Sequence, residues 1–275
     1  MEEVRFRWLG VAGIELTVEG EILAIDPFFS RIPWWRVWID PIHGDRALVA
    51  EHLPHCDVVL VTHSHYDHVL DVPDVVRNSG ALVLGSRNTC RVLEGAEIPS
   101  LRYQEVHVGD DMGLGRFAVT VLPGSHITVA GRPLLTGDLP NWPVSAFGAQ
   151  DYRMDACYSY LITAGGLRML DWASTSVEGA ERADVLWVGA PAPEAHYREL
   201  AQVVQPKVII PIHWDDFFRP LSRPLRPFFR PPQPRWPPLG RLDIAELQRM
   251  LERAAPGARV LVPEIFAEYD LATLL

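Results

Sequence analysis

Short apolar runs separated by turn residues dominate the first half of the chain and predict β-strands. The first three predicted strands cover 4–9, 14–18 and 22–25, with Glu19 and Gly20 as the turn between the last two. Further strands are predicted at 57–62, 81–84, 117–122, 158–163, 167–170, 185–188 and 207–212. The chain is therefore expected to open with a β-meander.

Helical periodicity predicts helices over 194–204 and 244–254, and a shorter helix over 71–78 that Gly80 ends. Strands and helices mix without a long linker, so we expect one compact domain over residues 1–275, built in layers. The apolar run that starts at Asp57 also resembles the run that starts at Asp184. Unless this similarity is chance, each half contributes one sheet to a sandwich with outer helices.

Two segments interrupt this pattern. Residues 27–43 contain five aromatic side chains, and residues 217–241 contain eight prolines, six arginines and no acidic residue. Both are predicted to be long irregular loops. Loops of this length inside a compact domain are usually either functional or disordered.

Composition and charge exclude several classes of protein. With 48% hydrophobic and 22% charged residues, the chain is expected to fold. Its formal net charge of −10 argues against a general nucleic-acid binder, because phosphate contacts need a basic face. Three widely spaced cysteines, a start without a basic signal region and the lack of a long apolar run predict a soluble cytoplasmic protein with no integral membrane segment.

The densest group of polar side chains follows the predicted strand at 57–62. His63, His65, Asp67 and His68 lie within six positions. A structural core rarely holds so many imidazoles, because each one needs a polar partner once it leaves water. Residues two apart at a strand end point to the same side, and the following turn can bring Asp67 and His68 into the same cavity. This arrangement can make two adjacent sets of metal ligands.

The spacing HxHxDH resembles the signature of the metallo-β-lactamase superfamily, in particular the branch that includes ascorbate-6-phosphate lactonase and N-acylphosphatidylethanolamine phospholipase D. The resemblance extends to 8–13 with 22–27, to 122–126 and to 208–214. It covers nearly the whole chain apart from the two loops. It implies an α/β fold, a four-layer αββα sandwich of two mixed sheets with outer helices.

The resemblance also implies the ligands of two metal ions. His63, His65 and His126 would form the first site, and Asp67, His68 and His213 the second. Imidazole-rich ligation with one carboxylate suits zinc, with manganese or iron as alternatives. Diiron oxygen-reducing relatives generally carry a carboxylate where this chain has His65, which disfavours an iron oxidoreductase. A metal-bound hydroxide would then hydrolyse the substrate, with Asp67 as the catalytic residue that orients it.

The carboxylate that bridges the two metals in the family has no obvious counterpart here. Counting from the preceding strand puts Ser174 at that position, with Asp171 three residues earlier. We therefore expect a weakly held second metal unless Asp171 reaches it. The pair Gly137-Asp138 has the same residue types as the Gly-Asp pair of the family motif but is interpreted as unrelated to it. Asp26 is expected either to support a ligand histidine or to cap a turn.

The two loops suggest a small-molecule substrate with an apolar body and a hydrolysable ester, lactone, amide or phosphodiester bond. Their aromatic side chains would wall a cleft above the metals, and arginines of the second loop would bind an anion. The aromatic residues are Phe28, Phe29, Trp34, Trp35, Trp38, Phe217, Phe218, Phe228, Phe229 and Trp236, and the arginines are Arg219, Arg223, Arg226 and Arg230. The same residues could instead pack the domain or a homo-oligomer interface. The alternative to an enzyme is a non-catalytic metal-binding or sensor protein with a degenerate second metal site.

Overall fold

The structure, a computed structural model, describes residues 2–37, 39, 41–129, 132–229 and 240–275. The strands in these residues are β1 (Arg5–Gly10), β2 (Gly13–Val18), β3 (Glu21–Ile25), β4 (Val58–Leu60), β5 (Leu82–Gly85), β6 (Tyr103–Glu105), β7 (Asp111–Leu114), β8 (Phe117–Pro123), β9 (Thr128–Val129), β10 (Arg132–Pro133), β11 (Tyr158–Ala164), β12 (Leu167–Trp172), β13 (Val185–Gly189), β14 (Val208–Ile212), β15 (Arg259–Val260) and β16 (Glu268–Asp270). The α-helices are α1 (Trp34–Val37), α2 (Arg46–His52), α3 (Tyr66–Val69), α4 (Val72–Ser79), α5 (Arg87–Gly95), α6 (Glu194–Val204) and α7 (Ile244–Ala254). Short 3-10 helices cover Ser100–Arg102, Val144–Ala146, Ala149–Asp151 and Leu271–Leu274.

Two seven-stranded sheets form the centre of the fold, in the orders β16-β1-β2-β3-β4-β5-β6 and β7-β8-β11-β12-β13-β14-β15. In the order given, each sheet has three antiparallel pairs followed by three parallel pairs. The strands β4 and β13, which follow Asp57 and Asp184, therefore occupy equivalent places. The sequence similarity between these two runs has a structural counterpart.

Helices cover the outer face of each sheet. On the first sheet, α2, α4 and α5 bury Val49, Val75 and Leu93 against strand residues such as Val59 and Val83. On the second sheet, α6 and α7 pack on the core that also fills the space between the sheets. The predicted four-layer αββα sandwich is confirmed.

Capping explains where several helices begin and end. The predicted helices at 194–204 and 244–254 have the observed bounds, and α4 ends at Gly80, whose φ is 73°. The helices α2 and α5 were not predicted. Each follows a residue whose side chain accepts backbone N–H groups, Asp45 and Ser86 respectively, but with 7 and 9 residues each helix is too short for a periodic pattern to stand out.

The first loop differs from its prediction. It contains the one-turn helix α1, so it is not wholly irregular. Phe28 and Phe29 are fully buried in the core beneath the first sheet's helices, whereas the Trp34 and Trp35 side chains are exposed. The proposal that Phe28 and Phe29 wall a cleft was wrong, because their rings have no free surface. Trp38 lies outside the described residues.

The second loop is partly described. Isolated bridges join Asp215 to Pro227 and Phe229 to Arg241. Arg230 and Trp236 lie outside the described residues.

None of the described helices combines the length and apolar character that crossing a bilayer requires.

Candidate metal centre

The polar cluster lies where the parallel strand β4 ends. All three residues of β4 are buried, and the chain then turns into the one-turn helix α3. His65 precedes this helix, and Asp67 and His68 lie within it. His63, His65, Asp67 and His68 are all buried. The carboxyl ends of parallel strands commonly form the walls of functional sites, and this one gathers polar side chains.

Two distant histidines join this cluster from the second sheet. His126 follows β8 and His213 follows β14. The donor atoms of His63, His65 and His126 lie within 4.8 Å of one another, and the same limit holds for Asp67, His68 and His213. The six residues predicted from the sequence are thus brought together in the two predicted groups.

The first group consists of three neutral imidazoles. His63 Nε2 lies 3.1 Å from His65 Nδ1, and the His126 ring centre is 5.0 and 4.7 Å from those of His63 and His65. Burial lowers the pKa of each ring, that of His126 to about 4, and the neighbouring histidines lower it further for His63 and His126. Neutral imidazole is the form that binds a metal ion.

The second group is centred on an ionised carboxylate. Asp67 Oδ2 lies 3.5 Å from His213 Nε2 and 3.6 Å from His68 Nε2. Burial alone would raise the pKa of Asp67, but His68 and His213 beside it hold the pKa well below its usual range. Burial would lower the pKa of His68, yet Asp26 and Asp67 raise it to about 9. A metal ion here would take the place of the proton on His68.

Asp26 and Thr62 connect the two groups. Asp26 is fully buried, and its carboxylate accepts hydrogen bonds from Thr62 N at 2.8 Å, Thr62 Oγ1 at 2.5 Å and His68 Nδ1 at 2.6 Å. Thr62 Oγ1 also lies 3.0 Å from His63 Nδ1. Because these contacts use Nδ1 of His63 and of His68, they leave Nε2 of each ring free for a metal, and they fix the two ring planes. Sequence reasoning named Asp26 but missed Thr62, whose only signal was its place directly before the motif.

Asp67 is the only carboxylate in either group among the described residues. Ser174 Oγ lies 2.8 Å from Ser125 Oγ, next to His126, so it borders the first group. Asp171 is buried on β12, and burial raises its pKa well above the usual range, with the Asp26 charge raising it further. Which of Ser174 and Asp171 takes the bridging position stays a prediction.

A cavity of about 590 Å³ opens beside His126. Its polar lining includes Arg87, Ser125, Asp138 and Thr175. Asp138 Oδ1 pairs with Arg87 Nη2 at 2.6 Å and belongs to neither metal group. The similarity of Asp138 to the family motif is therefore limited to residue type, in agreement with the interpretation from the sequence.

An aromatic cluster borders the second group. The Phe217 ring lies 6.0 Å from the His213 ring and stacks on Phe228 at 4.8 Å. Two of the four arginines that were expected to bind an anion have partners in or directly beside this loop instead. Arg226 Nη2 donates to Asp216 Oδ2 at 2.6 Å, and Arg219 Nε donates to the carbonyl oxygen of Pro224 at 2.7 Å. They hold the loop in place.

The donor sets fit zinc. Two donors at about 2.1 Å from one zinc ion lie no more than about 4.2 Å apart. The distance of 3.1 Å within the first group and those of 3.5 and 3.6 Å within the second meet this limit. The remaining donor atoms of each group lie within 4.8 Å of one another, close to this limit.

Comparison with known proteins agrees with the fold. The family described as "Beta-lactamase superfamily domain" matches residues 22–170. A "UPF0173 metal-dependent hydrolase" from Methylocella silvestris is 26% identical over 137 residues, which cover 49% of this chain and 53% of that protein. The chain thus spans about half the length of the curated relatives it matches.

Solved structures extend the similarity to the whole chain. Igni18, described as a novel metallo hydrolase from Ignicoccus hospitalis, has a TM-score of 0.61 at 16% identity and covers 97% of both chains. CmlA, a diiron β-hydroxylase from Streptomyces venezuelae, has a TM-score of 0.58 at 16% identity, over 98% of this chain and 55% of its own. These similarities concern the fold.

Proposed function

Because this chain belongs to the β-lactamase superfamily, we propose that it is a metal-dependent hydrolase with two adjacent metal sites. One observation carries the proposal. Five imidazoles and one carboxylate from three separate parts of the chain converge in two groups whose donor atoms lie within 4.8 Å of one another. Titratable groups that are buried together and shift one another's pKa values cluster at functional sites.

We propose zinc as the metal. Borderline nitrogen donors with one oxygen donor suit it better than the hard cations that prefer all-oxygen sites. Manganese and iron stay as alternatives, since a protein of similar fold is described as a diiron enzyme. Among the described residues the two groups contain no carboxylate besides Asp67, so none is left in them to bridge the two metals, and we expect the second metal to be held more weakly than the first. Metal analysis before and after mild chelation tests this.

The residues of this chain have distinct roles in the proposed reaction. Bound zinc would supply a water of lowered pKa and polarise the substrate's oxygen. Asp67 would orient the attacking water, because its carboxylate stays ionised between His68 and His213. The cavity beside His126 would hold the polar part of the substrate, and Phe217 with Phe228 would contact its apolar part. The bond cleaved is then an ester, lactone, amide or phosphodiester.

Turnover tests the proposal. We expect the protein loaded with zinc, manganese or iron to hydrolyse at least one member of a panel of lactones, p-nitrophenyl esters and bis-p-nitrophenyl phosphate. Asp67→Ala should abolish this activity, whereas Asp111→Asn, which changes an exposed carboxylate on β7 outside this cavity and both metal groups, should keep it. Protein that binds two metals but is inactive on the whole panel would favour the sensor alternative, which is supported by the single carboxylate in the two groups of described residues.

Other features of the proposal rest on the sequence. We propose a single domain over residues 1–275 that acts in the cytoplasm on a small molecule, without a nucleic-acid partner. A homo-oligomer that uses the exposed Trp34 and Trp35 stays a prediction. Size-exclusion chromatography of the wild-type protein and of the Trp34→Ala, Trp35→Ala double variant tests it.

A further inference from the structure

We propose that Arg31 and Asp215 form a buried ion pair that positions His213 and thereby sets the affinity of the second metal site. The proposal rests on the proposed function, because it concerns the second group of ligands. Arg31 lies in the loop after β3, and Asp215 lies two residues beyond His213. The pair acts through the backbone and touches no ligand atom in the structure, so both are positioning residues.

The ion pair is fully withdrawn from water. Arg31 Nη2 lies 2.6 Å from Asp215 Oδ2, and neither side chain has any exposed surface. Burying two charges costs more than their attraction often returns, and apolar side chains of similar size can stabilise a fold better. A pair kept in such a place is therefore suited to fixing one local geometry.

That geometry is the backbone turn of His213. His213 N donates to the carbonyl oxygen of Val11 at 2.8 Å, and Val11 N donates to Asp215 Oδ1 at 2.9 Å. His213 has a φ of 58° and Val11 a φ of 50°, both in the left-handed region that residues with a side chain rarely adopt. Such conformations persist only where the surroundings hold them. Asp215 therefore fixes the backbone of Val11 through its hydrogen bond, and Val11 fixes the backbone of His213 in the same way.

Arg31 reaches this turn because Gly10 leaves room for it. A Cβ atom at Gly10 would meet Arg31 Nη2, and the glycine φ of 91° also disfavours a side chain. Arg31 Nη1 donates to the carbonyl oxygen of Asp216 at 3.4 Å, so the guanidinium spans both residues after Trp214. The turn that carries His213 is thereby tied to the loop that starts at Asp26.

The same loop therefore supports both imidazoles of the second group. Asp26 at its start binds His68 Nδ1, and Arg31 further along fixes the His213 turn through Asp215. The first group depends on other contacts than the Arg31–Asp215 pair, namely Thr62 for His63 and the carbonyl oxygen of Leu135 for His65. Loss of the Arg31–Asp215 pair should consequently affect the second metal and spare the first.

Zinc titration of the purified full chain tests this. Asp215→Asn keeps an oxygen that can accept from Val11 N but removes the charge that holds Arg31. We expect wild-type protein to bind two zinc equivalents at saturation, and Asp215→Asn to bind the weaker one at least tenfold less tightly with the first unchanged. His213→Ala, which deletes the ligand itself, shows how loss of the second site appears in the same titration.

A matched control separates positioning from a general loss of stability. Glu15→Gln breaks the Arg7–Glu15 ion pair, whose carboxylate is also buried but which lies on the opening hairpin away from the ligands. It should lower the thermal unfolding midpoint yet keep both zinc equivalents. If Asp215→Asn does not fold, Arg31→Lys, which keeps the charge but loses the two-pronged reach to Asp215 and Asp216, should show the same selective loss to a smaller degree.

The outcomes are distinguishable. A folded variant that binds the second zinc as tightly as wild type, or that weakens both equivalents equally, overturns the positioning role while the two-metal centre stands. Wild-type protein that takes up fewer than two equivalents at saturation overturns the two-site proposal itself.

Discussion

Asp26 shows how a single buried carboxylate organises the candidate site. It accepts three hydrogen bonds, two from Thr62 and one from His68, and so links the strand end to the second group of ligands. A carboxylate behind an imidazole fixes the ring and makes its free nitrogen a better donor. Thr62 extends this support to His63, because its hydroxyl lies 3.0 Å from His63 Nδ1.

We expect Asp26→Ala to weaken zinc binding by about 10- to 100-fold, the usual effect of removing such a support. Competition with a chromophoric chelator measures the affinity. Asp111→Ala, which removes an exposed carboxylate on β7, is the control and should bind zinc like wild type. Equal affinities in the two variants would mean that Asp26 only caps its turn.

Asp71 predicts a dependence of stability on pH. It is fully buried, and burial raises its pKa to about 6 from an unfolded value of 3.8, although its Oδ2 accepts hydrogen bonds from Phe29 N and Ser30 N. A raised carboxyl pKa means that the folded state holds the proton more tightly. The stability contributed by the protonated form is therefore complete below about pH 4 and lost as the pH rises through about 6.

Asp71→Asn removes the titrating carboxyl group, so the variant should not lose this stability as the pH rises. The difference in unfolding free energy between the variant and wild type should grow in favour of the variant by up to about 3 kcal/mol between about pH 4 and pH 7. Urea denaturation at several pH values measures the difference, with Asp111→Asn as the control for an exposed carboxylate. A difference that stays constant with pH would contradict the expectation.

At the scale of elements, the ends of strands and helices place the chemistry. The buried strand β4 delivers its polar turn directly into α3, and α4 follows with only Leu70 and Asp71 between the two helices. Gly80 then ends α4 in the left-handed region and lets the chain return to β5. A short, tightly turned unit therefore carries four of the six candidate ligands.

Gly80→Ala tests the importance of this helix end. Its φ of 73° disfavours an alanine, while the nearest atom to an added Cβ, on Arg102, is 3.5 Å away and in ordinary contact. We expect a loss of about 1 kcal/mol in unfolding free energy, from backbone strain alone. Gly113→Ala on β7, with open space around the added methyl and no left-handed backbone, should change stability by less than about 0.5 kcal/mol. Equal effects in chemical denaturation would exclude backbone strain as the cause.

At the scale of the whole molecule, the candidate metal centre lies between the two sheets. The first sheet supplies the motif from His63 to His68, and the second supplies His126 and His213. Hydrogen bonds already cross at this point, since Tyr160 Oη donates to the carbonyl oxygen of Val61 at 2.7 Å. A bound metal would add a further connection between the halves.

Metal removal should therefore destabilise the whole fold. A ligand that binds only the folded state stabilises it by about 2.7 kcal/mol at a hundredfold excess over its dissociation constant. We expect the thermal unfolding midpoint to fall on chelation and to recover on adding zinc. His63→Ala combined with His213→Ala, which removes one ligand from each group, should show no such response. A midpoint indifferent to zinc in the wild-type protein would contradict binding at this place.

Local sequence patterns predicted a large part of this fold. The bounds of α6 and α7 follow from helical periodicity, and the equivalent places of β4 and β13 in the two sheets follow from the similar runs at Asp57 and Asp184. The helices α2 and α5 escaped prediction because they are only 7 and 9 residues long, so their caps carry much of the signal.

The sequence by itself determined the type of chemistry, since the cluster from His63 to His68 is a local pattern that no ordinary core uses. Only the tertiary structure decided which distant residues join or support that cluster. It brought His126 and His213 to it, buried Phe28 and paired Arg31 with Asp215 across 184 positions of the chain. The physical reason is that periodicity and capping act over a few residues, whereas burial and ion pairing depend on which surfaces meet when the two sheets pack.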